Sequence, residues 1–272
     1  MMSALRHLAR PGRRKLREVR ARVLRRLGLL PGDWGAGLND ETDFWEKVLA
    51  DGGRAWVPGE FDRRMDPARP LQPELQELVD ALSGSVVRVL DVGAGPLTTL
   101  GKRWEGRALE IVAIDPLADK YDALLSRLGI SPPVRTVPGH GETLREQFRE
   151  NEFDLAYASN SLDHSYDPMR AILQMLAVAK PGCHVYLWHF ANEGLHESYR
   201  GLHQWNFDVR DGDFLVGDGR SERSLQAAVQ GRATLRCERL VDYGKPVVVA
   251  RLKKLALHPP APSNRTAAAP PP

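Results

Sequence analysis

The residues whose types and spacing are best suited to chemistry follow a short apolar run. The run Val86 to Leu90 predicts a β-strand, and it leads directly into Asp91-Val92-Gly93-Ala94-Gly95-Pro96. Gly93 and Gly95 allow a tight turn and let a ligand approach the backbone without meeting a Cβ atom. Asp115 ends the next apolar run, twenty residues after Gly95, where a carboxylate can accept hydrogen bonds from both hydroxyls of a ribose. The strand, the glycine turn and the second strand with its terminal acid together predict a nucleoside-binding site.

The positions after Gly95 distinguish two kinds of nucleoside ligand. A dinucleotide pyrophosphate is bound by free N–H groups at a helix N-terminus, usually with a third glycine three positions after the second. This chain has Thr98 at that position, and Pro96 has no N–H group to donate. S-adenosylmethionine (SAM) carries no phosphate, and its sulfonium and amino-acid tail favour a carboxylate such as Asp91. The turn therefore favours SAM, and a nicotinamide dinucleotide is the alternative.

Candidate groups for acting on a second substrate follow the fourth and fifth apolar runs, because ligands of open α/β sheets bind beyond the carboxyl ends of the strands. His164 and His189 are the candidate general bases, since imidazole titrates near neutral pH. The segment 188–207 is rich in aromatic and amide side chains, which suits either an acceptor-binding loop or a small cap that packs its own aromatics. The spacing of Asp163 and Asp167 relative to these histidines matches no metal signature, so we expect no metal site.

The elements that must position these residues alternate along the chain. Apolar runs, the first of them β-branched, predict strands at 86–90, 111–114, 134–137, 153–158 and 184–188. Helical patterns lie between them, at about 97–106, 119–128, 142–150 and 168–179. This alternation is typical of βαβ units, which form a doubly wound, mostly parallel sheet covered on both faces. Runs at 235–241 and 247–252 flank the turn 242–246 and predict a terminal antiparallel hairpin.

The two ends of the chain differ in composition from its centre. Residues 1–30 contain ten Lys or Arg and one acid, although the whole chain has a net charge of only +3, so the remainder is mildly acidic. They predict a basic amphipathic helix that either docks on an anionic membrane or an acidic partner, or is simply solvated. Residues 31–80 predict a helical lead-in, with a helix capped at Asn39-Asp40, that serves as a lid or as plain packing. The Pro- and Ala-rich residues 258–272 predict a disordered tail.

Composition also excludes several classes of protein. Two cysteines fit a reducing cytoplasm and cannot form a disulfide framework. No apolar run reaches membrane-spanning length, and the N-terminus lacks the apolar core of a secretory signal. No dense basic and aromatic face is found in the central region, so we do not expect a nucleic-acid substrate.

With these residues and elements identified, residues 86–192 resemble the class I SAM-dependent methyltransferase family, in particular its type 11 group. The likeness rests on Asp91-Val92-Gly93-Ala94-Gly95, on Asp167-Pro168 after the fourth strand and on Lys180-Pro181-Gly182 before the fifth. It implies a Rossmann-like, seven-stranded sheet with the last strand antiparallel. One departure is that family members commonly carry Gly-Asp-Ala-Glu after the third strand, whereas this chain has Gly139-His140-Gly141-Glu142.

The likeness implies that Asp91, Gly93 and Gly95 surround the methionine part of SAM and that Asp115 holds the ribose. The full set that we assign to cofactor binding is Asp91, Gly93, Ala94, Gly95, Asp115, Pro116, His140, Gly141, Glu142 and Asn160. The SAM-binding domain is expected to span 81–257, with an acceptor-binding insertion at about 190–232. The predicted function is methyl transfer to oxygen or nitrogen of a small-molecule or glycan acceptor. A non-catalytic SAM-fold binding protein and a nicotinamide-dependent oxidoreductase are the alternatives.

Overall fold

The structure, a computed structural model, describes residues 34–54 and 56–256, together with Val19 and Val23, which are helical and exposed. Apart from these two residues, the basic helix predicted for residues 1–30 lies outside the described residues. The disordered tail predicted for residues 258–272 lies outside them as well. None of the helices in the described part of the chain has the length and hydropathy needed to cross a membrane.

A mixed sheet forms the centre of the described region. Its strands are β1 (Val86–Val92), β2 (Ala108–Asp115), β3 (Thr136–Pro138), β4 (Phe153–Ser159), β5 (Ala179–Phe190), and the strands that we number β9 (Ala233–Asp242) and β10 (Lys245–Lys254). Within the described residues the sheet has seven strands in the order β3-β2-β1-β4-β5-β10-β9. The first five run parallel, and β10 pairs antiparallel with both β5 and β9. The predicted α/β fold, Rossmann-like with a mostly parallel sheet and a terminal antiparallel hairpin, is confirmed.

Helices cover the sheet and complete the lead-in. They are α1 (Trp34–Ala50), α2 (Glu60–Met65), α3 (Pro73–Val79), α4 (Ala118–Leu128), α5 (Leu144–Gln147), α6 (Pro168–Val178), α7 (Glu193–His196) and α8 (Leu225–Ala228). Alternate residues of β1 point to opposite faces. Val87 and Val89 therefore pack against α3, whereas Leu90 and Val92 pack in the core that contains α6.

The segment predicted to form an acceptor-binding insertion is a compact unit between β5 and β9. It contains α7, α8 and a small antiparallel sheet of β6 (Asn206–Arg210), β7 (Asp213–Gly217) and β8 (Glu222–Ser224). Phe207, Phe214 and Leu225 are fully buried in the same core as β4 and β5. The insertion therefore packs its aromatic side chains both against each other and into the core of the main sheet.

The helix predicted at 97–106 is wrong, because this segment is a loop with isolated bridges. The loop is held against the strand-like residues that precede α3. The Gln72 side chain donates to the Thr99 carbonyl (2.9 Å) and accepts from the Gly101 N–H (3.1 Å). A Cβ on Gly101 would lie 1.9 Å from the Pro70 carbonyl oxygen, so this close approach requires glycine. The long-range contact replaces the local helix.

The start predicted for the first lead-in helix is also wrong. Helix α1 begins at Trp34, so Asn39 and Asp40 lie inside it and do not cap it. Its predicted end at Gly52-Gly53 is confirmed, since both glycines adopt positive φ angles of 65° and 77°.

Candidate functional site

The glycine turn after β1 has the backbone geometry that the sequence predicts. Gly93 and Gly95 adopt φ angles of 71° and 63°, in the left-handed region that favours glycine. The N–H groups of Gly93 and Ala94 both donate to the Ile114 carbonyl at the end of β2, at 2.9 and 3.0 Å. A Cβ on Gly93 would lie 2.5 Å from Cβ of Ser161. The turn is thus fixed between the carboxyl ends of β2 and β4, where the strand order reverses and ligands of such sheets bind.

Asp91 is a buried carboxylate at the start of this turn. It is 2% exposed, and its Oδ2 accepts a hydrogen bond of 2.5 Å from the Thr98 hydroxyl. Burial raises the pKa of Asp91 to about 6, because the charged form loses hydration and the Thr98 hydrogen bond only partly offsets that loss. A cationic ligand group placed here would favour the ionised form.

Asp115 ends β2 and faces the same turn. Its two oxygens accept hydrogen bonds from the Gly95 N–H (3.1 Å) and the Leu117 N–H (2.9 Å). Burial raises the pKa of Asp115 to about 7 despite these hydrogen bonds, and the charges of Glu41 and Asp91 raise it further. Each carboxylate oxygen can accept a second hydrogen bond, so Asp115 retains the capacity that a ribose requires. Pro116, which follows it, is exposed.

The residues after β3 lie on the other side of the turn. A Cβ on Gly141 would lie 2.9 Å from Val92 Cγ1, so the backbone packs directly on β1. The His140 ring lies 5.8 Å from the Trp34 ring and 6.2 Å from the Tyr166 ring. Glu142 is 3% exposed and accepts hydrogen bonds from the N–H groups of Tyr166 (2.9 Å) and Asp167 (3.3 Å). Glu142 therefore holds the loop after β4 in place.

Asn160 directly follows β4 and has a positive φ of 47°. Its N–H donates to the Trp188 carbonyl (2.7 Å), and its side-chain oxygen accepts from the Phe190 N–H (3.2 Å). These bonds join the ends of β4 and β5, so the structure gives Asn160 a positioning role at the edge of the predicted cofactor site.

The acceptor side contains a cluster of polar side chains, which we call the histidine cluster: Asp163, His164 and His203. Nδ1 of His203 lies 2.7 Å from Oδ2 of Asp163 and 3.1 Å from Nε2 of His164. Hydrogen bonding to Asp163 and the charge of that carboxylate raise the pKa of His203 to about 9, against the lowering effect of burial. The neighbouring histidines hold the pKa of Asp163 well below its usual range, although burial acts in the opposite direction.

The two histidines predicted as general bases differ in their surroundings. The side chain of His164 is 20% exposed and belongs to the histidine cluster. His189 is 1% exposed, its ring lies 4.6 Å from the Phe207 ring, and neither ring nitrogen has a hydrogen-bond partner among the described residues. Burial lowers the pKa of His189 to about 4, against the charge of Asp163. His164 is therefore the better placed of the two to meet a substrate.

Sequence reasoning did not identify several residues of this site. Helix α1 places Trp45 over Gly95, since a Cβ there would lie 3.1 Å from the Trp45 ring. Glu41 accepts from Trp45 Nε1 (2.9 Å) and has Oε2 at 3.9 Å from His164 Nδ1. Trp34 donates from Nε1 to the His164 carbonyl at 2.6 Å. The spacing within α1 carries no signal of these contacts, and His203 lies forty residues after Asp163.

Comparison with known proteins agrees with the geometry of the glycine turn. Residues 90–187 match a protein-family model described as a methyltransferase domain. An uncharacterized methyltransferase of Mycobacterium tuberculosis is 34% identical over 131 residues, covering 47% of this chain and 49% of that protein. The ubiquinone/menaquinone biosynthesis C-methyltransferase UbiE of an Enterobacter species is 28% identical, covering 54% of this chain and 60% of that protein. The chain thus spans about half the length of the curated relatives it matches.

A solved structure shares the fold. It is phosphoethanolamine N-methyltransferase 2 of Haemonchus contortus in complex with S-adenosyl-L-methionine, with a TM-score of 0.53 at 11% identity. The match covers 79% of this chain and 57% of that one. At this identity the likeness concerns the fold alone.

Proposed function

We propose that the chain, whose residues 90–187 match a methyltransferase-domain model, is a class I SAM-dependent methyltransferase that methylates oxygen or nitrogen of a small-molecule or glycan acceptor. SAM is held at the turn between β1 and β2, and the acceptor lies beyond β4 and β5, against the histidine cluster. Bound at the turn, SAM supplies a methyl group on a cationic sulfur.

The main support for this proposal is that the backbone N–H groups of the glycine turn already have hydrogen-bond partners within the protein. Those of Gly93 and Ala94 donate to Ile114, and that of Gly95 donates to Asp115. Pro96 has none, and no helix begins after it. A pyrophosphate requires free donors at this position, ideally at a helix N-terminus, so a nicotinamide dinucleotide fits poorly. A cationic nucleoside needs carboxylates instead, and Asp91 and Asp115 are both buried here.

We assign the remaining parts of SAM to the groups around the turn. The ribose hydroxyls bind Asp115, and the adenine lies near His140 and Gly141. Trp34 and Tyr166 flank His140 and supply apolar ring surface for a flat base. Helix α1, which carries Trp34 and Trp45, acts as the cover of the cofactor site.

A hydroxyl or amine acceptor loses a proton when it is methylated, so its site needs a group that handles that proton. His164 lies in the turn after β4, is partly exposed and is held by Trp34 and by the histidine cluster. An imidazole there can act on the acceptor in two ways. It can take the proton as a general base, or it can ligate a cation that lowers the pKa of the acceptor itself. Either role suits the oxygen or nitrogen acceptor that we propose.

Transfer of a labelled methyl group tests the proposal. The purified chain is incubated with methyl-labelled SAM and a metabolite extract, and labelled products are separated by mass. We expect a labelled small molecule or glycan, and we expect His164→Ala to reduce the rate by about 100-fold or more because general acid–base assistance is of that size. His184→Ala, a histidine of β5 outside both the cluster and the predicted acceptor-binding insertion, serves as the control. SAM binding without any labelled product would contradict catalysis and favour a SAM-binding protein.

A further inference from the structure

Three side-chain atoms that can ligate a metal ion when they are unprotonated converge in the histidine cluster. They are Oδ2 of Asp163, Nε2 of His164 and Nδ1 of His203, and their separations are 2.7, 3.1 and 3.5 Å. All three ligand atoms lie within 4.8 Å of one another. The residues come from two elements, the turn after β4 and the segment before β6, so the fold rather than local sequence brings them together.

Hydrogen bonding satisfies this arrangement only in part. A proton on His203 Nδ1 can point at Asp163 or at His164, but a single N–H serves one of them well. If His164 Nε2 is also protonated, two N–H groups face each other across 3.1 Å. A cation between the three atoms uses all three lone pairs at once.

The separations match those expected around a metal ion. Ligand bonds of about 2.0–2.2 Å place neighbouring ligand atoms about 2.8–3.1 Å apart around an octahedral centre and about 3.3–3.6 Å apart around a tetrahedral one. The separations of 3.1 and 3.5 Å fall within these limits, and the separation of 2.7 Å lies just below them. Small movements of the partly exposed His164 and His203 rings would make the three separations equal.

The surroundings of the cluster supply the second observation. Asp163 is 1% exposed, and its other oxygen, Oδ1, has no hydrogen-bond partner among the described residues. The buried His189 ring, which interacts electrostatically with Asp163, likewise has both nitrogens unpartnered within the described part of the chain. Unpaired buried polar groups are costly and call for a specific explanation. Glu41, at 3.9 Å from His164 Nδ1, stands where a carboxylate commonly orients a ligating imidazole.

We propose that Asp163, His164 and His203 bind one divalent transition-metal ion, with Zn²⁺ as the reference ion. Two imidazoles and one carboxylate suit zinc, manganese or iron(II), whereas magnesium and calcium prefer sets made of oxygen alone. The His164 and His203 side chains are 20% and 31% exposed, so the site is open on one side. The role of this ion, to hold an acceptor oxygen at that open side and lower its pKa, rests on the proposed function. The binding of the ion itself does not depend on that function.

The sequence alone predicted no metal site, because the candidate ligands that it offered were Asp163, His164, Asp167 and His189. That set lacks His203. In the structure Asp167 caps α6 by accepting from the Arg170 N–H, and it pairs with Arg223. The ligand set is therefore a different one.

Metal titration of the full chain, after treatment with a chelator and without SAM or acceptor, tests the proposal. We expect one equivalent of Zn²⁺ to bind, and Co²⁺ to give the visible absorption bands of a nitrogen- and oxygen-ligated site. His203→Ala and the isosteric Asp163→Asn should each weaken Zn²⁺ binding by at least about 100-fold, more than the loss of an outer-sphere partner. His196→Ala should leave it unchanged.

Absence of stoichiometric binding by the wild-type chain would overturn the proposal, as would binding that survives both cluster variants, with folding checked by circular dichroism. If His203→Ala lowers turnover although the wild type binds no metal, the cluster is a proton relay and the metal site is wrong. A chain that binds Zn²⁺ but transfers no methyl group would contradict the proposed function and leave the metal site standing.

Discussion

Asp91 and Asp115 are carboxylates placed where ionisation is unfavourable in the protein alone. Both are nearly inaccessible to solvent, and burial raises their pKa values to about 6 and about 7. Hydrogen bonds from Thr98, Gly95 and Leu117 offset only part of the lost hydration. Such groups gain most from a ligand that brings positive charge and hydroxyl donors, which is the chemistry that SAM offers.

The raised pKa values predict that SAM affinity depends on pH. Below its pKa each carboxyl is protonated and loses its attraction for the cationic ligand, so affinity should fall as pH falls through about 7 and about 6. We expect Kd to rise by roughly tenfold or more between about pH 7.5 and about pH 5.5, with protons released on binding near pH 6.5. Calorimetric titration in buffers of different ionisation enthalpy measures both quantities. A Kd that stays constant over this range would show that the carboxyls are already ionised without ligand.

At the scale of elements, the sequence correctly predicted the strands whose formation depends on the local pattern of apolar residues. The apolar runs predicted the strands that end at or next to Asp91, Asp115 and Asn160, because strands buried on both faces are largely apolar. It failed at 97–106, where a helical pattern yields to the contact between Gly101 and Pro70. It predicted the lead-in as either a lid or plain packing, but it could not place Trp45 against Gly95, because that contact depends on tertiary packing.

The contact between α1 and the glycine turn gives a prediction with a matched control. Gly95 and Gly129 adopt similar φ angles of 63° and 66°, but a Cβ on Gly95 would lie 3.1 Å from Trp45, whereas one on Gly129 would have no heavy atom within 4 Å. Gly129→Ala should cost about 1 kcal/mol of unfolding free energy from backbone strain and leave SAM affinity unchanged.

Gly95→Ala should cost the same strain and also displace Trp45 and the Asp115 hydrogen bond, so SAM affinity should fall by about tenfold or more. Chemical denaturation and SAM titration of both variants measure these effects. Equal SAM affinity in the two variants would mean that α1 does not cover the cofactor turn.

At the scale of the whole molecule, the strand order determines where the two halves of the site meet. The reversal between β1 and β4 brings the glycine turn next to Ser161, and the insertion after β5 brings His203 against His164 in the same loop. The sequence predicted that meeting point from strand alternation alone. It did not predict His203, because no local pattern relates a loop residue of the insertion to a turn forty residues earlier.

The basic segment of residues 1–30 remains a prediction about location. With ten Lys or Arg and one acid ahead of an acidic remainder, it should bind anionic vesicles in a salt-sensitive way. Removing residues 1–30 should abolish cosedimentation with such vesicles and leave SAM affinity within about twofold. Loss of SAM binding in the truncated chain, or vesicle binding that persists without the segment, would contradict this account. Neutral vesicles are the control.

The most direct test of the account is a calorimetric titration of SAM into the wild-type chain and into Asp115→Ala. We expect micromolar binding of SAM by the wild type and none of NAD. The substitution should weaken SAM binding by about 1–3 kcal/mol, roughly 5- to 150-fold, because it strands the ribose hydroxyls. Asp119→Ala, an exposed acid in the first turn of α4, is the matched control and should bind SAM as the wild type does. SAM affinity that is unchanged in Asp115→Ala, or NAD bound as tightly as SAM, would contradict the assignment of this site.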